Sequence, residues 1–333
     1  MQPKKQTLIL LLVLENTNSK VQDVLQSTAK GHEKLVTLLE ELDKPINRIA
    51  TQISDLHDAL NENDRIKFFD WLSAVQYVKH HRAKSKLLLP GSCQWLFRKP
   101  TFRTWTKSSA SSILWLHGIP GSGKSMLTCS LIERFNEMHK LTSSSPLLAY
   151  FYCSRDTAEP ERADPGEVLR SILEQLSSSD MDAPLRQPAV LAYRERKREA
   201  RGRKPEKLSL EESTEVILQI LEENPAIIAI DALDECDPIG RHDLIRSLRE
   251  IIRESASVVK IFLSSRDDKD IVKQMATASE VYIKAEDNSK DIEDFTKFEV
   301  GRAIQNTRIL NGEVSEALKA DIIETLNSKA NGM

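Results

Sequence analysis

Cysteine is scarce in this 333-residue chain: Cys93, Cys129, Cys153 and Cys236 lie far apart, with no C-x-x-C spacing. That excludes a zinc ribbon and a disulfide framework, and fits a reducing, cytoplasmic setting. Neither sign of charge dominates. Basic side chains number 47 and acidic ones 50, for a net charge of −3, so composition gives no case for a nucleic-acid partner or a membrane surface. Long apolar runs are missing as well. Lys4 and Lys5 precede Leu8 to Leu14, a run of seven apolar residues, and Glu15-Asn16-Thr17-Asn18 follows. Spanning a bilayer takes about 20 such residues, and the small residues of a signal-cleavage site are not there. No repeat period is visible, and no N-K-x-D element of the kind that reads guanine occurs.

Glycine is sparse but clustered. Three of eleven, Gly118, Gly121 and Gly123, fall in the octet Gly118-Ile119-Pro120-Gly121-Ser122-Gly123-Lys124-Ser125. The octet fits G-x-x-x-x-G-K-[ST] at every position. Ile113-Leu114-Trp115-Leu116 before it reads as a buried strand, and Met126 to Ile132 after it as the start of a helix. Each residue type has a physical task. The glycines let several backbone N–H groups turn toward one phosphate chain. The helix start, Met126 included, adds its unpaired N–H groups and the positive end of its dipole. Lys124 would reach the β- and γ-phosphates, and Ser125 would give its hydroxyl to Mg²⁺. The structural alternative is a flexible loop with a chance lysine; the strand and helix on either side argue against it.

Two further strands end in charge. Ala226-Ile227-Ile228-Ala229-Ile230 stops at Asp231, with Asp234 and Glu235 just beyond. In a parallel sheet, ligands sit beyond the carboxyl ends of the strands. Asp231 there would hold Mg²⁺ directly or through water, and Asp234 or Glu235 would orient or deprotonate an attacking water. Val258 to Leu263 ends in Ser264-Ser265-Arg266, where Arg266 would sense the γ-phosphate. Pro146 to Cys153 and Val281 to Ile283 complete a set of five expected strands.

The remaining segments divide as follows. Residues 1–14 are an apolar tail. Residues 15–85 are an N-terminal helical region, a bundle or coiled coil. Its seam positions Val21, Leu25, Thr28, His32, Leu35, Leu39, Leu42, Ile46, Ile49, Ile53, Leu56 and Leu60 alternate in steps of four and three, apolar except at the weak spots Thr28 and His32, with Gly31 and Pro45 expected to loosen or kink the helix. The spacing predicts a further helix over about 65–83. Residues 86–110 read as an aromatic linker holding Trp95 and Trp105, residues 111–285 as the nucleotide core, and residues 286–333 as the start of a helical subdomain that breaks off. The basic stretch 194–207 reads as a solvated loop, because Gly202 and Pro205 interrupt it.

The order of phosphate loop, then IIAIDALDEC, then IFLSSR resembles the NACHT class of STAND P-loop NTPases. More narrowly it is similar to fungal NOD-like receptors with a nephrocystin-like N-terminal module. The approach segment FFDWLSAVQYVKHH and the stretches LLLPGSCQWLF and FRTW carry the same likeness, which covers roughly residues 66–333. The resemblance implies an α/β fold with a five-stranded parallel sheet, and with the Arg266 strand between the strands of the phosphate loop and of Asp231. It implies a Mg²⁺-dependent, ATP-binding signalling switch, GTP being the other candidate, with slow hydrolysis at most. Asp234, Glu235 and Arg266 would be the catalytic set. The diphosphate form would be a closed monomer, the triphosphate form a homo-oligomer, and the N-terminal helices would meet a protein partner. The winged-helix lid and repeat array usual in that class are not in this sequence. A nucleotide-independent interaction scaffold is therefore the alternative, while a small-molecule kinase lacks any legible acceptor site.

Overall fold

The apolar runs of the sequence become strands because both of their faces are covered. In the computed structural model the described residues are 62–141, 145–178 and 183–330, together with Lys34. Apart from Lys34, the apolar tail and the heptad segment lie outside them. Five strands are formed: β1 (Ser112–His117), β2 (Leu147–Tyr152), β3 (Ala226–Asp231), β4 (Val259–Ser265) and β5 (Ser279–Tyr282). All pair in parallel in the order β2-β3-β4-β1-β5. β3 and β4 are buried at every position, which is why they read as unbroken apolar runs rather than as alternating ones. β5, at one edge, buries one residue in four. β4 lies between β1 and β3, as the resemblance implied, with Trp115 opposite Leu263 and Ile228 opposite Ile261.

Twelve α-helices are described. Four precede the sheet: α1 (Glu62–Leu72), α2 (Tyr77–Ser85), α3 (Gln94–Arg98) and α4 (Pro100–Lys107). Six lie between strands or flank them: α5 (Lys124–Leu141), α6 (Pro165–Ser177), α7 (Gln187–Glu199), α8 (Leu210–Ile220), α9 (Pro238–Glu254) and α10 (Lys269–Met275). Two follow: α11 (Ala285–Gln305) and α12 (Glu316–Ala330). Their starts follow ordinary capping chemistry. Asp164 accepts the N–H of Glu167 at the start of α6, Ser209 and Glu212 form a capping box on α8, and Pro165 and Pro238 occupy first-turn positions. From Glu62 onward the chain forms one compact unit, so α1 and α2 belong with the sheet.

Three expectations need correction. The single helix over 65–83 is two helices. Ser73 accepts the Val75 N–H through its hydroxyl and donates to Glu167, and such local bonds compete with helix continuation. The aromatic linker is mostly helical: Pro100 opens α4, whose Phe102 and Trp105 are buried, Trp105 against Phe262 of β4. The basic stretch is a loop only from its middle. Residues 194–199 are the last turns of α7, which the burial of Ala189, Val190 and Tyr193 holds to the core.

Edge strand β2 is closed off by side chains. Gln175 of α6 accepts from the N–H of Tyr150 and donates to its carbonyl, at 2.9 and 2.8 Å. The free backbone groups there are thus satisfied and no second strand can add at that point. α1 seats Phe68 and Trp71 against Tyr193, and the Trp71 indole donates to the carbonyl of Glu206. Between α1, α2 and α6 lies a group of buried charges. Glu167 meets Lys207 and Arg170. Beside it Glu174 has a buried oxygen without a hydrogen-bond partner among the described residues. Burial, with Glu167 and Asp70 nearby, pushes the Glu174 carboxyl up to about 8, although Lys207 pulls the other way.

Candidate functional site

β1 delivers the glycine loop to the carboxyl edge of the sheet. Gly121 and Gly123 have φ of 80° and 86°, a conformation that side chains with a Cβ resist. At Gly118 the limit is space, since a Cβ would lie 3.2 Å from Cβ of Ile283. Ile119 and Pro120 stand at the exposed tip of the loop, and Ser122 is buried under it. α5 begins at Lys124, whose ammonium donates to the carbonyls of Gly118 and Ile119, both at 2.8 Å. Ser125 is half-buried on the first turn. Met126 bonds back to the Gly123 carbonyl through its N–H and sends its side chain into the core, so only its backbone faces the loop.

β3 ends in Asp231, which is 1% exposed. Its Oδ1 accepts from the hydroxyls of Thr128, on α5, and Ser264, on β4, at 3.1 and 2.6 Å. Buried carboxylates need such donors, and these leave Oδ2 for another partner. The next residue, Ala232, is left-handed, with φ 55° and ψ 49°. A non-glycine residue in that region costs roughly 1–2 kcal/mol. The turn Leu233–Glu235 that follows is held from three sides. Arg241 of α9, itself 2% exposed, donates to the Asp234 carbonyl at 2.9 Å and to Asp270 at 2.6 Å. Arg155 donates to the same carbonyl, and its own N–H reaches Glu235. Arg266, at the exit of β4, donates its N–H to Oδ1 of Asp234 and pairs its Nε with Oδ2, at 3.0 and 3.1 Å.

The loop lysine, Asp231, Asp234 and Arg266 thus share one mouth, with Glu235 next along the turn. The electrostatics of Lys124 make this concrete. Burial lowers its ammonium from the ordinary lysine range; Asp234, Asp231 and Asp267 pull it back up, and Arg266 pushes it down further. Asp267 also meets His117 at 2.6 Å, whose ring stacks on Trp115 at 3.8 Å. Asp234 and Glu235 differ in their surroundings: both oxygens of Asp234 are engaged by Arg266, whereas the half-buried Glu235 accepts the backbone N–H of Arg155.

The roof of the site comes from two distant segments. Asn288 of α11 donates to the carbonyl of Ser122. Three residues on, Asp291 accepts the N–H of Cys93 at 2.8 Å, and Asp287 pairs with Lys99. The first turns of α11 therefore lie beside the glycine loop, and Cys93 and Lys99 are tied to the same helix turns. A cavity of about 540 Å³, lined by Phe97, Phe102, Trp105 and Phe135, opens at the amino ends of the strands, away from this mouth.

Several members of this constellation carry no local signature in the sequence. Arg241 and Arg155 are ordinary arginines until the fold aims them at one carbonyl. Thr128 sits one turn beyond Ser125, a spacing that could have marked it, because residues three apart share a helix face. Ser264 belongs to the SSR that was singled out for its arginine.

A parallel sheet in this order, with a G-x-x-x-x-G-K-S loop between its internal strand β1 and the following helix, defines a P-loop NTPase fold. Within that class, the nephrocystin 3 N-terminal family matches residues 91–266, and the chain belongs to it. This bears out the nephrocystin-like resemblance read from the motifs. Among curated proteins, the chain is 32% identical over 205 residues to the vegetative incompatibility protein HET-E-1 of Podospora anserina. That match covers 60% of this chain but only 14% of the longer protein. Among solved structures, the Aeropyrum pernix ORC1 protein in complex with DNA aligns over 73% of this chain and 60% of its own, at 17% identity and a TM-score of 0.42. AMPPCP-bound DnaA from Aquifex aeolicus aligns over 73% and 61%, at 10% identity and a TM-score of 0.32. Both likenesses are distant. No described helix is long and apolar enough to cross a membrane.

Proposed function

We propose that this chain is a nucleoside-triphosphate-binding switch of the NACHT type, using ATP with Mg²⁺ and hydrolysing it slowly at most. The observation that carries this reading is the convergence of Lys124, Asp231, Asp234 and Arg266 on one mouth, with Arg266 ion-paired to Asp234. The donor set fits the ligands. Gly121 and Gly123, at φ 80° and 86°, give the loop the turns that would aim its N–H groups at a phosphate chain, and Ser125 and Asp231 offer the hard oxygens that Mg²⁺ prefers. Bound there, Mg²⁺ supplies positive charge against the β- and γ-phosphates.

The residues would then divide the work. The loop N–H groups and Lys124 bind phosphate. Arg266, paired with Asp234, would exchange that carboxylate for the γ-phosphate and so sense it. Glu235, whose carboxylate accepts the Arg155 N–H and meets no side-chain cation among the described residues, would orient the attacking water. Residues 90–97 and the start of α11 flank the base, and with no guanine-reading element the choice falls on adenine. Signalling in an incompatibility-like response is the role that the family likeness suggests.

The test is the bound nucleotide and solution mass of the purified chain, with and without Mg-ATP. Diphosphate in a monomer that assembles when triphosphate is added is the expected result. A chain that neither contains nor takes up nucleotide would end the proposal. The division of labour has its own check. Glu235→Gln should keep ATP affinity within about twofold and lower single-turnover hydrolysis by about a hundredfold or more. Equal hydrolysis in Glu235→Gln and the wild type would remove Glu235 from the reaction.

A further inference from the structure

Asp231 is almost wholly buried, and its hydrogen bonds account for only one of its two oxygens. Oδ1 takes both hydroxyls, Thr128 and Ser264. Oδ2 faces the ammonium of Lys84 at 3.9 Å. Lys84 does not come from the nucleotide core sequence. It lies in the last turn of α2, the helix that ends about thirty residues before the glycine loop. Its Nζ sits 5.1 Å from the ring centre of Tyr152, the β2 residue paired in register with Asp231. α2 is fixed upstream of Lys84 by buried contacts: His81 meets the Tyr152 hydroxyl at 2.9 Å, and Tyr77 packs edge-on against Tyr150. Beyond it the chain turns, with Leu87 N–H bonded to the Lys84 carbonyl at 2.9 Å. The lysine side chain itself is 30% exposed, so its charged end has a path to water.

A buried carboxylate without a counter-charge is costly. Lys84 supplies that charge from outside the core, on the one oxygen that is open to a metal. Two cations cannot share that oxygen at close range without strong repulsion. We propose that Lys84 is an internal counter-ion of the metal site. It neutralises Asp231 while no divalent cation is bound, competes with Mg²⁺ for Oδ2, and is released together with the end of α2 when the Mg-nucleotide binds. The approach helix thereby reports whether the site is loaded. This rests on the reading of Asp231 as the metal-associated acid.

The experiment uses the full chain and a fluorescent ATP analogue, titrated with Mg²⁺ and, separately, in EDTA. Lys84→Met keeps an apolar stem over Tyr152 and removes the charge; Lys84→Arg keeps the charge. Lys84→Met should reach half-saturation at about tenfold less Mg²⁺, with metal-free nucleotide affinity unchanged, and Lys84→Arg should behave as the wild type. In the wild type, amide exchange at residues 82–88 should speed up on addition of Mg-nucleotide and not on addition of nucleotide in EDTA. That measurement needs no variant to fold. A Mg²⁺ requirement that is unchanged or higher in Lys84→Met, or amides 82–88 indifferent to the metal, overturns the proposal while leaving nucleotide binding standing. A wild type that binds no nucleotide sinks both.

Discussion

Lys124→Ala is expected to lower affinity for Mg-ATP by about a hundredfold or more, while melting within a few degrees of the wild type. The first half follows from charge. A lysine in this loop is the one side-chain ammonium that the motif aims at the phosphates, and charge-assisted bonds of that kind contribute about 1.5–3 kcal/mol before the Coulomb gain in a sheltered site is added. The second half follows from what the ammonium does in the structure. It donates to two carbonyls of its own loop, Gly118 and Ile119, and its burial already disfavours the charged form. Removing it forfeits local bonds but leaves no buried carboxylate newly bare, since Asp234 keeps Arg266 and Asp231 keeps Thr128 and Ser264. Calorimetric titration and thermal melting of the same preparation separate the two effects. Unchanged affinity would mean that the loop is a structural turn.

Alkaline pH is expected to weaken the fold, with Glu174 as a main cause. Its carboxyl is pushed up to about 8, from an ordinary value of 4.5, chiefly by burial. The folded chain therefore holds a proton there that the unfolded chain gives up. The stabilising share is complete below pH 4.5, declines as pH rises from 4.5 to about 8, and changes no further above that. Over the whole window the loss is on the order of 5 kcal/mol. Glu174→Gln removes the titration and keeps the shape. At pH 5 it should melt close to the wild type. At pH 8.5 it should melt higher, by about 10 °C for a unit of this size. Parallel melting curves for the two proteins at every pH would show that Glu174 reaches water and carries no such load.

The contrast between these two residues mirrors what could be read from sequence. Lys124 sits in an octet whose spacing has a single chemical use, so the loop, strand β1 and helix α5 were legible at once. Asp231 and Arg266 were legible because each ends an apolar run, and strand ends in a parallel sheet face the ligand. Glu174 has no such mark. It is one glutamate on a helix whose apolar spacing was plain, and its raised pKa comes from burial first, then from Glu167 two turns earlier on the same helix and from Asp70 and Lys207 of two other segments. Arg241 is the same case on the site side. Helix α9, Pro238–Glu254, went unremarked although its start is marked by Asp237 and Pro238. The split between α1 and α2 was hidden because one of the two Ser73 hydroxyl bonds at the break goes to Glu167, 94 residues away. The helices within the aromatic stretch were hidden by their brevity, five and eight residues, too short for periodicity to show.

The strand order has a consequence for synthesis. β1 pairs with β4 on one side and with β5 on the other, the last two strands to leave the ribosome. Until translation reaches Tyr282, the strand that carries the glycine loop has no neighbour on at least one edge. At about 5–20 residues per second that interval lasts roughly 10–30 s. Through it the chain exposes Ile113-Leu114-Trp115-Leu116, an apolar segment with open backbone groups and so a site for wrong pairing. β2 and β3 can form their half of the sheet much earlier, and β3 then waits for β4. The nucleotide loop is thus encoded early and completed late, and a nascent chain halted before residue 282 would carry the motif without the finished sheet that holds it.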